Sequence, residues 1–305
     1  MLEKKKKGGK LIPILISLLV IAGIGLMLYK PLMTHFFIPQ AHSKISDDAK
    51  QTAPSEYGKN QQLSDDALKD FYKKHGIKYD PKNFSSQMDD DAFKNSFTGG
   101  FDSSKYFGDS KKKGFGSGNH KGAPDLSFDY GRVKAPGSTD LSSINPRYDR
   151  RLLTGHIAIP AIGINMPVLQ GVSNANLYAG AGTLKPFQQM GKGNYALASH
   201  HMPDQYSNFS RIGQLHKGNR ILLSNGKKVF EYRTSSVKQM PTRSSSVVND
   251  EAGKKEVTLV TCVNTYGTSD QNGNARVVVK GDLIKSHGMG SQFGKYFKWL
   301  IFNRV

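Results

Sequence analysis

Apolar residues are spaced in three different ways along this chain of 305 residues. Residues 11–29 are almost wholly apolar, and such a run matches the about 20 residues that a helix needs to cross a bilayer. Residues 30–148 hold few Leu, Ile and Val among many Gly, Ser, Asp, Lys and Asn, whereas residues 149–285 hold short apolar runs between turn residues. The pattern predicts a transmembrane anchor, a low-complexity and mostly disordered spacer, and one folded domain.

Five lysines within residues 1–10 precede the apolar run. Basic segments stay on the cytoplasmic side of a membrane, so everything after residue 30 is predicted to lie outside the cell. A cleaved signal peptide is the alternative. Its apolar core usually spans about 7–15 residues and ends at a small-x-small site, and this sequence fits neither feature well. We therefore expect an uncleaved, single-pass anchor.

One helix is predicted within the spacer, with Ser64 as N-cap, lysines in its last turn and Gly76 after its end. The rest of the spacer is expected to be a flexible tether that lets an anchored domain search its surroundings. A basic, aromatic tail over residues 286–305 is too short to span a bilayer. It either lies at a membrane interface or is poorly ordered.

The folded domain contains many short runs of β-branched and aromatic residues, and Asn225-Gly226 between two of them is a strong hairpin signal. Long segments with a helical period are absent from this sequence region, and short helices are predicted at residues 174–177 and 206–215. The pattern predicts a mostly β barrel or sandwich. The predicted strands are residues 154–159, 166–170, 195–199, 220–224, 228–234, 257–262 and 276–280.

The chain carries 43 Lys and Arg against 24 Asp and Glu, a formal net charge of +19. Such basicity indicates anionic surroundings. The sequence has no zinc-finger spacing, RNA-binding aromatic signature or helix-turn-helix pattern, so nucleic acid is not the expected partner. For an exported protein, anionic lipid headgroups and acidic wall polymers are the simpler explanation, and a solvated surface without a specific partner is the alternative.

The single cysteine, Cys262, ends the predicted strand 257–262. Outside the cell it has no partner for an internal disulfide, so the thiol is either an inert core residue or a reactive one. If the strands before and after it pair as a hairpin, Arg276 returns beside Cys262. Ala198 and His200 share one face of another strand. Cys262 would then attack a carbonyl, His200 would protonate the leaving amine, and Arg276 would donate to the oxyanion.

Each of these residues also has a structural interpretation. A cysteine in a strand is ordinarily a small core residue. Adjacent histidines, such as His200 and His201, are often surface residues, and Arg276 would then be one more surface charge. The cysteine and the histidines lack zinc-ligand spacing, so no metal site is predicted.

The Thr-Leu-Val-Thr-Cys run ending at Cys262, the earlier Ala-Ser-His run ending at His200 and the later Arg276 resemble the sortase family of Gram-positive surface transpeptidases. The class A, or housekeeping, type is the most similar. The resemblance covers residues 151–284. It implies an eight-stranded β-barrel without a cofactor, and it carries the three catalytic roles to His200, Cys262 and Arg276.

The resemblance also implies a reaction. A Leu-Pro-x-Thr-Gly sorting signal would be cleaved between Thr and Gly through a thioester on Cys262, and the protein would pass to a cell-wall amine such as that of lipid II. Ala198 and Thr261 match positions that contact the sorting signal, and residues 241–255 match a loop that closes over it. Some class A members bind calcium through acidic residues in a loop before the histidine strand. Residues 171–194 contain no Asp or Glu, so we expect calcium independence.

Three alternatives stay open. A pilin-polymerising sortase usually carries an inhibitory lid with an acidic-Pro-aromatic motif and a second membrane helix, and residues 125–130 offer acids and aromatics without that motif. A papain-type cysteine protease places its Cys before its His, the reverse of the order here. A non-catalytic, membrane-tethered wall-binding protein would be held by charge alone, and its binding would fall steeply with salt.

Overall fold

Eight β-strands close into a barrel in the computed structural model, which describes residues 11–89, 104–107, 124–130, 133, 135–137, 145, 147–241, 244–262 and 275–303. The strands are β1 Leu153–Ile159, β2 Ile164–Leu169, β3 Ala181–Thr183, β4 Asn194–Ala198, β5 Arg220–Ser224, β6 Lys228–Pro241, β7 Glu256–Cys262 and β8 Ala275–Gly288. Their order around the barrel is β1-β2-β3-β4-β7-β8-β6-β5. The pairs β2–β3 and β4–β7 are parallel and the other neighbours are antiparallel. The predicted β-barrel is confirmed.

Helices flank the barrel at both ends of the chain. The described helices are α1 Leu11–Leu32, α2 Ile38–Lys50, α3 Pro54–Lys74, α4 Phe84–Asp89, α5 Ser104–Phe107, α6 Asn174–Ala179 and α7 Gln292–Asn303. The prediction of a short helix at residues 174–177 is confirmed by α6. In the predicted segment 206–215, the structure has only a 3-10 turn, Ile212–Gln214.

The first two helices form one continuous rod. A π-helical turn, Met33–Phe37, joins α1 to α2, so that residues 12–50 make a single helix. The side chains of α1 are exposed, and the helix is long and apolar enough to cross a membrane. This agrees with the predicted membrane anchor.

The expectation that residues 30–148 are mostly disordered is wrong for α2 and α3. Both helices pack against the barrel. In α2, Ser46 donates a hydrogen bond to the backbone oxygen of Asn165 at 2.9 Å. In α3, Asn60 donates to the backbone oxygens of Arg150 and Leu153, each at 2.9 Å. The flexible tether that the composition suggested is therefore absent from residues 38–74.

The physical reason lies in spacing and residue type. In α3 the buried side chains recur three or four residues apart, with polar Asn60 and Ser64 between Tyr57 and Ala67, which gives the helix one buried and mostly apolar face despite its polar composition. Aromatic rings and alanines supply most of this face, and a count of Leu, Ile and Val misses them. The buried apolar residues of α3 are Tyr57, Ala67, Leu68, Phe71 and Tyr72.

The predicted helix in this region is right at its end and wrong at its start. The structure ends α3 at Lys74, and Gly76 follows with a φ of 65°, in the left-handed region that favours glycine. Ser64 is not an N-cap but is buried in the middle of the helix. The helix begins at Pro54, whose missing N–H costs nothing in the first turn.

The C-terminal tail is ordered as far as residue 303. The strand β8 extends to Gly288, beyond the predicted domain end at residue 285, and α7 follows it. One face of α7 packs on the outside of the barrel through Phe297, Leu300 and Ile301. The exposed aromatic residues of this helix are Tyr296, Trp299 and Phe302.

Candidate active site

Strand register brings the three predicted catalytic residues side by side. The last residue of β7, Cys262, is paired directly with Arg276 near the start of β8. On its other side, β7 runs parallel to β4, with Ala198 opposite Val260. The backbone N–H of Ser199 donates to the backbone oxygen of Val260 at 3.2 Å, which keeps the chain beside β7 at the end of β4. His200 lies two residues after Ala198, as Cys262 lies two residues after Val260.

Adjacent strands lie about 4.8 Å apart, and residues that are opposite each other project to the same face of a sheet. The register therefore places the backbone positions of His200, Cys262 and Arg276 in one row at this end of β4, β7 and β8. The hairpin that was predicted for residues 257–262 and 276–280 is present, and it brings Arg276 beside Cys262 as expected.

This row lies on the outer face of the barrel. Residues of the opposite parity, Leu197, Leu259 and Val279, fill the barrel interior. The outer face below the row carries small or β-branched side chains, which form a separate apolar cluster with parts of α6 and of the following loop. The buried members of this cluster are Val172, Leu177, Leu184, Ala196, Ala198, Val260 and Val278. The prediction that Ala198 and His200 share one face agrees with this arrangement.

His200 is held in a buried position. Its side chain is 1% exposed, and its ring lies against that of Tyr178 in α6, with the ring centroids 4.7 Å apart. The backbone oxygen of His200 accepts a hydrogen bond from Phe209 at 3.1 Å. Neighbouring His201 is half-buried and pairs with Asn208 instead, and burial lowers the pKa of the His201 imidazole.

Thr261 serves the framework of the site. Its register partner is Val277, so it has the parity of the barrel interior, and it is 1% exposed. Its hydroxyl donates to the backbone oxygen of Ser199 at 2.9 Å. This bond ties β7, which ends at Cys262, to the segment that carries His200.

Arg276 lies under an aromatic ring from the spacer. Its guanidinium carbon is 5.2 Å from the centre of the Tyr130 ring, a distance at which cation–π attraction operates. Tyr130 and Val133 also pack against the outer apolar cluster. This contact was not predicted, although apolar residues at every second position (Leu126, Phe128, Tyr130) indicate an extended segment with one buried face.

The loop predicted to close over the site borders the same face. Of residues 241–255, positions 242 and 243 lie outside the described residues. The turn Ser245–Val248 places Val247 and Val248 against the outer cluster. Asp250 anchors the loop, because it accepts from the backbone N–H of Asn194 at 2.9 Å and pairs with the buried ammonium of Lys185. Burial lowers the pKa of Lys185.

In the part of the chain that the structure describes, no three His, Cys, Asp or Glu side chains are grouped closely enough to hold a metal ion. The arrangement instead offers a nucleophile position, an acid–base position and a cation in one row.

Comparisons with known proteins match the same region. A family model described as "Sortase domain" matches residues 157–284. Sortase A of Listeria monocytogenes is 34% identical over 174 residues, which cover 57% of this chain and 76% of that protein. Sortase A of Bacillus anthracis is 40% identical over 146 residues, which cover 48% of this chain and 67% of that protein. A crystal structure of the Listeria monocytogenes sortase A covers 48% of this chain and 98% of its own, with 35% identity and a TM-score of 0.44.

Proposed function

Since the chain belongs to the sortase family of transpeptidases and its curated relatives are class A enzymes, we propose that it cleaves Leu-Pro-x-Thr-Gly sorting signals between Thr and Gly. The acyl group would pass through a thioester on Cys262 to an amine of a cell-wall precursor such as lipid II. The observation that carries this proposal is the register of β4, β7 and β8, which sets His200, Cys262 and Arg276 in one row.

The first half of the reaction forms the thioester. The thiolate of Cys262 attacks the Thr carbonyl carbon, and the carbon–nitrogen bond to Gly breaks as the tetrahedral intermediate collapses. The leaving amine needs a proton, and His200, which follows the end of the neighbouring strand β4, would supply it. In the second half, the acceptor amine attacks the thioester carbonyl, gives up a proton to His200 and releases the thiolate.

Arg276 is suited to the charge that develops on the carbonyl oxygen. A guanidinium offers several donors in a rigid plane, and its partial burial under Tyr130 strengthens its electrostatic effect relative to a solvated cation. Ala198 lines the outer face next to the row, where a small side chain leaves room for a peptide. Tyr130 and Val133 pack on the same face, so a bound peptide must displace them or pack beside them.

The enzyme would act outside the cell. The lysines of residues 1–10 favour a cytoplasmic N-terminus, and α1 would then carry the barrel to the outer surface of the membrane. The acceptor and the sorting-signal proteins are both expected there. This topology also fits the basic charge of the chain, because anionic lipids and wall polymers surround the barrel.

The direct test is a transpeptidation assay with the full chain in detergent. A peptide with the sorting signal is supplied with a glycine-type amine, and wild type is compared with Cys262→Ala and His200→Ala. We expect a transfer product from wild type and an acyl adduct on Cys262 in the absence of amine, both visible by mass spectrometry. We expect neither from Cys262→Ala.

Two other results would redirect the assignment. Transfer to a lysine-bearing pilin donor but not to a glycine-type amine would indicate pilin polymerisation. Hydrolysis without any transfer product would indicate a protease. Equal signal from wild type and Cys262→Ala would refute the mechanism altogether.

A further inference from the structure

The start of α2 reaches the residue that supports the candidate acid. Ile38, the first residue of α2, is fully buried in a small cluster with Tyr178 and Met202. Tyr178 is also the residue whose ring lies 4.7 Å from that of His200. Tyr178 is thus packed between the rod that contains the membrane anchor and the imidazole of the site.

We propose that Tyr178 is a positioning residue for His200, and that Ile38 of the anchor rod holds Tyr178 in place, so that docking of α2 on the barrel sets the geometry of the active site. This inference rests on the proposed function. It adds two residues, Tyr178 and Ile38, that neither the catalytic row nor the outer apolar cluster contains.

Tyr178 is fixed from the side of the catalytic row. Backbone oxygens at the end of α6 accept hydrogen bonds from two residues close to His200. Asn208, which is bridged to His201, donates to the backbone oxygen of Leu177 at 2.7 Å, and Ser199 donates to that of Gly180, just after the helix. Asn208 is followed by Phe209, which binds the backbone of His200. The helix that carries Tyr178 and the segment that carries His200 therefore move as one unit.

Tyr178 is fixed from the other side by α2, which is itself held along its length. Ser46 binds the backbone of Asn165, and Asp48 accepts from the hydroxyl of Tyr148 at 2.7 Å and pairs with Arg150. These contacts lie two to three turns after Ile38. Because they lock the rod on the barrel, the side chain of Ile38 closes the space behind the Tyr178 ring.

The consequence for catalysis is positional. A general acid must reach the leaving nitrogen within hydrogen-bond distance, and small displacements of a catalytic group reduce rates steeply. Ile38 and Met202 are the buried residues that form this cluster with Tyr178, so a void left by loss of the Ile38 side chain would let both rings tilt. The rod would then contribute to turnover without touching the substrate.

The chain offers a matched control for this idea. Ile45 lies on the same helix, is fully buried like Ile38, and packs in a different cluster that contains Tyr57 and Tyr148 but not Tyr178. Ile38→Ala and Ile45→Ala remove the same atoms from the same helix. They should lower the free energy of unfolding by comparable amounts.

The test measures kcat, KM and the pH–rate profile of the full chain in detergent for wild type, Ile38→Ala and Ile45→Ala. We expect Ile38→Ala to lower kcat about 10-fold or more and to shift the limb of the pH profile that reports His200. Ile45→Ala should keep both. Tyr178→Phe, which retains the ring, should keep most of the activity, whereas Tyr178→Ala should lose as much as Ile38→Ala.

Equal kcat and equal pH profiles for Ile38→Ala and Ile45→Ala would overturn the inference, as would full activity of a folded Tyr178→Ala. These failures are distinct from failure of the proposed function. If only the inference about Tyr178 and Ile38 fails, wild type still makes the transfer product and Cys262→Ala does not. If the proposed function fails, wild type makes no transfer product.

Discussion

The two faces of β4, β7 and β8 differ in what they hold. The inner face carries large side chains, Leu197, Leu259 and Val279 among them, and they are sealed in the barrel. The outer face carries Ala198, Val260 and Val278, and the row of candidate catalytic residues, His200, Cys262 and Arg276, lies beyond them. Neighbouring residues in one strand therefore serve opposite purposes, because successive side chains alternate between faces.

The difference shows how one strand can fix its backbone with the side chains of one face and carry candidate catalytic residues on the other face. Large side chains on the inner face bury enough apolar surface to fix the backbone, and this rigidity holds the catalytic positions in register. Small side chains on the outer face form a second buried cluster, and Tyr130 and Val133 pack against it. Substitutions on the inner face should therefore change stability, and those in the row should change rate.

The largest expected effect is on stability. Leu259→Ala should lower the free energy of unfolding by about 2–5 kcal/mol, because Leu259 is fully buried in the barrel core. The rate per folded molecule should stay close to that of wild type. Urea unfolding and transpeptidation kinetics measure the two quantities. Val260→Ala, one residue further on, is the control, with a smaller loss of stability and a higher KM. A Leu259→Ala enzyme that is stable but slow would contradict the division between faces.

The next effect is on rate. Arg276→Ala should lower kcat by about 10²–10³, because the oxyanion loses its donors, while the unfolding midpoint should change little. Arg276→Lys should recover only part of the loss, since an ammonium cannot reproduce the planar fork. Lys280 lies on the same face of β8, paired with Glu251 and Glu256, so Lys280→Ala is a control that should retain activity. Equal losses of activity in Arg276→Ala and Lys280→Ala would indicate that the positive charge of this face matters and that Arg276 has no specific role.

The free energy of unfolding should depend on pH because a histidine is buried on the outer face of the barrel, under the helices. His156 of β1 is 2% exposed, and burial lowers the pKa of its imidazole to about 4. The unfolded chain therefore binds the proton more readily, and stability falls as the pH drops below about 6.5. The loss between pH 7 and pH 5 should be about 2 kcal/mol. Urea unfolding at both pH values should show a pH dependence that is weaker by this amount in His156→Gln. An unchanged dependence in that variant would disprove the assignment.

The smallest expected effect is that of losing the Thr261 hydroxyl, which ties β7 to the segment that bears His200. Thr261→Val keeps the shape of the side chain and removes the hydroxyl that binds Ser199. We expect a stability loss of about 1 kcal/mol and a modest fall in kcat, because the segment bearing His200 is less firmly tied to β7. Thr261→Ser retains the bond and is the control. A raised KM with unchanged stability would instead favour the contact with the sorting signal that the resemblance implies.

Much of the barrel and the catalytic row follows from local sequence. Short runs of apolar and β-branched residues mark β4, β5 and β7, and Asn225-Gly226 marks the turn between β5 and β6. The pairing of Cys262 with Arg276 follows from a hairpin, which joins residues close in sequence. The three residues of β3 leave too little pattern to detect. Strands β6 and β8 extend well beyond their apolar runs because they pair antiparallel along their whole length, from Lys228 opposite Gly288 to Pro241 opposite Ala275.

The missed features depend on contacts between distant residues. Whether α2 and α3 fold is decided by the barrel surface that covers their apolar faces, and that surface comes about 100 residues later in the chain, as in the bond between Asp48 and Tyr148. The contacts of Tyr130 and Tyr178 are long-range in the same way, because their partners Arg276 and His200 lie on other elements of the folded barrel.

The unbroken rod from α1 into α2 constrains how the enzyme meets its targets. With α1 in the bilayer, residues 33–50 rise about 27 Å at 1.5 Å per residue, and their docking leaves no loose joint below the barrel. The candidate active site would then lie at a fixed height and in a fixed orientation above the lipid surface. Proteins awaiting attachment would have to arrive by lateral diffusion in the same leaflet, and the spacing between a sorting signal and its own membrane segment would decide which of them can be cut.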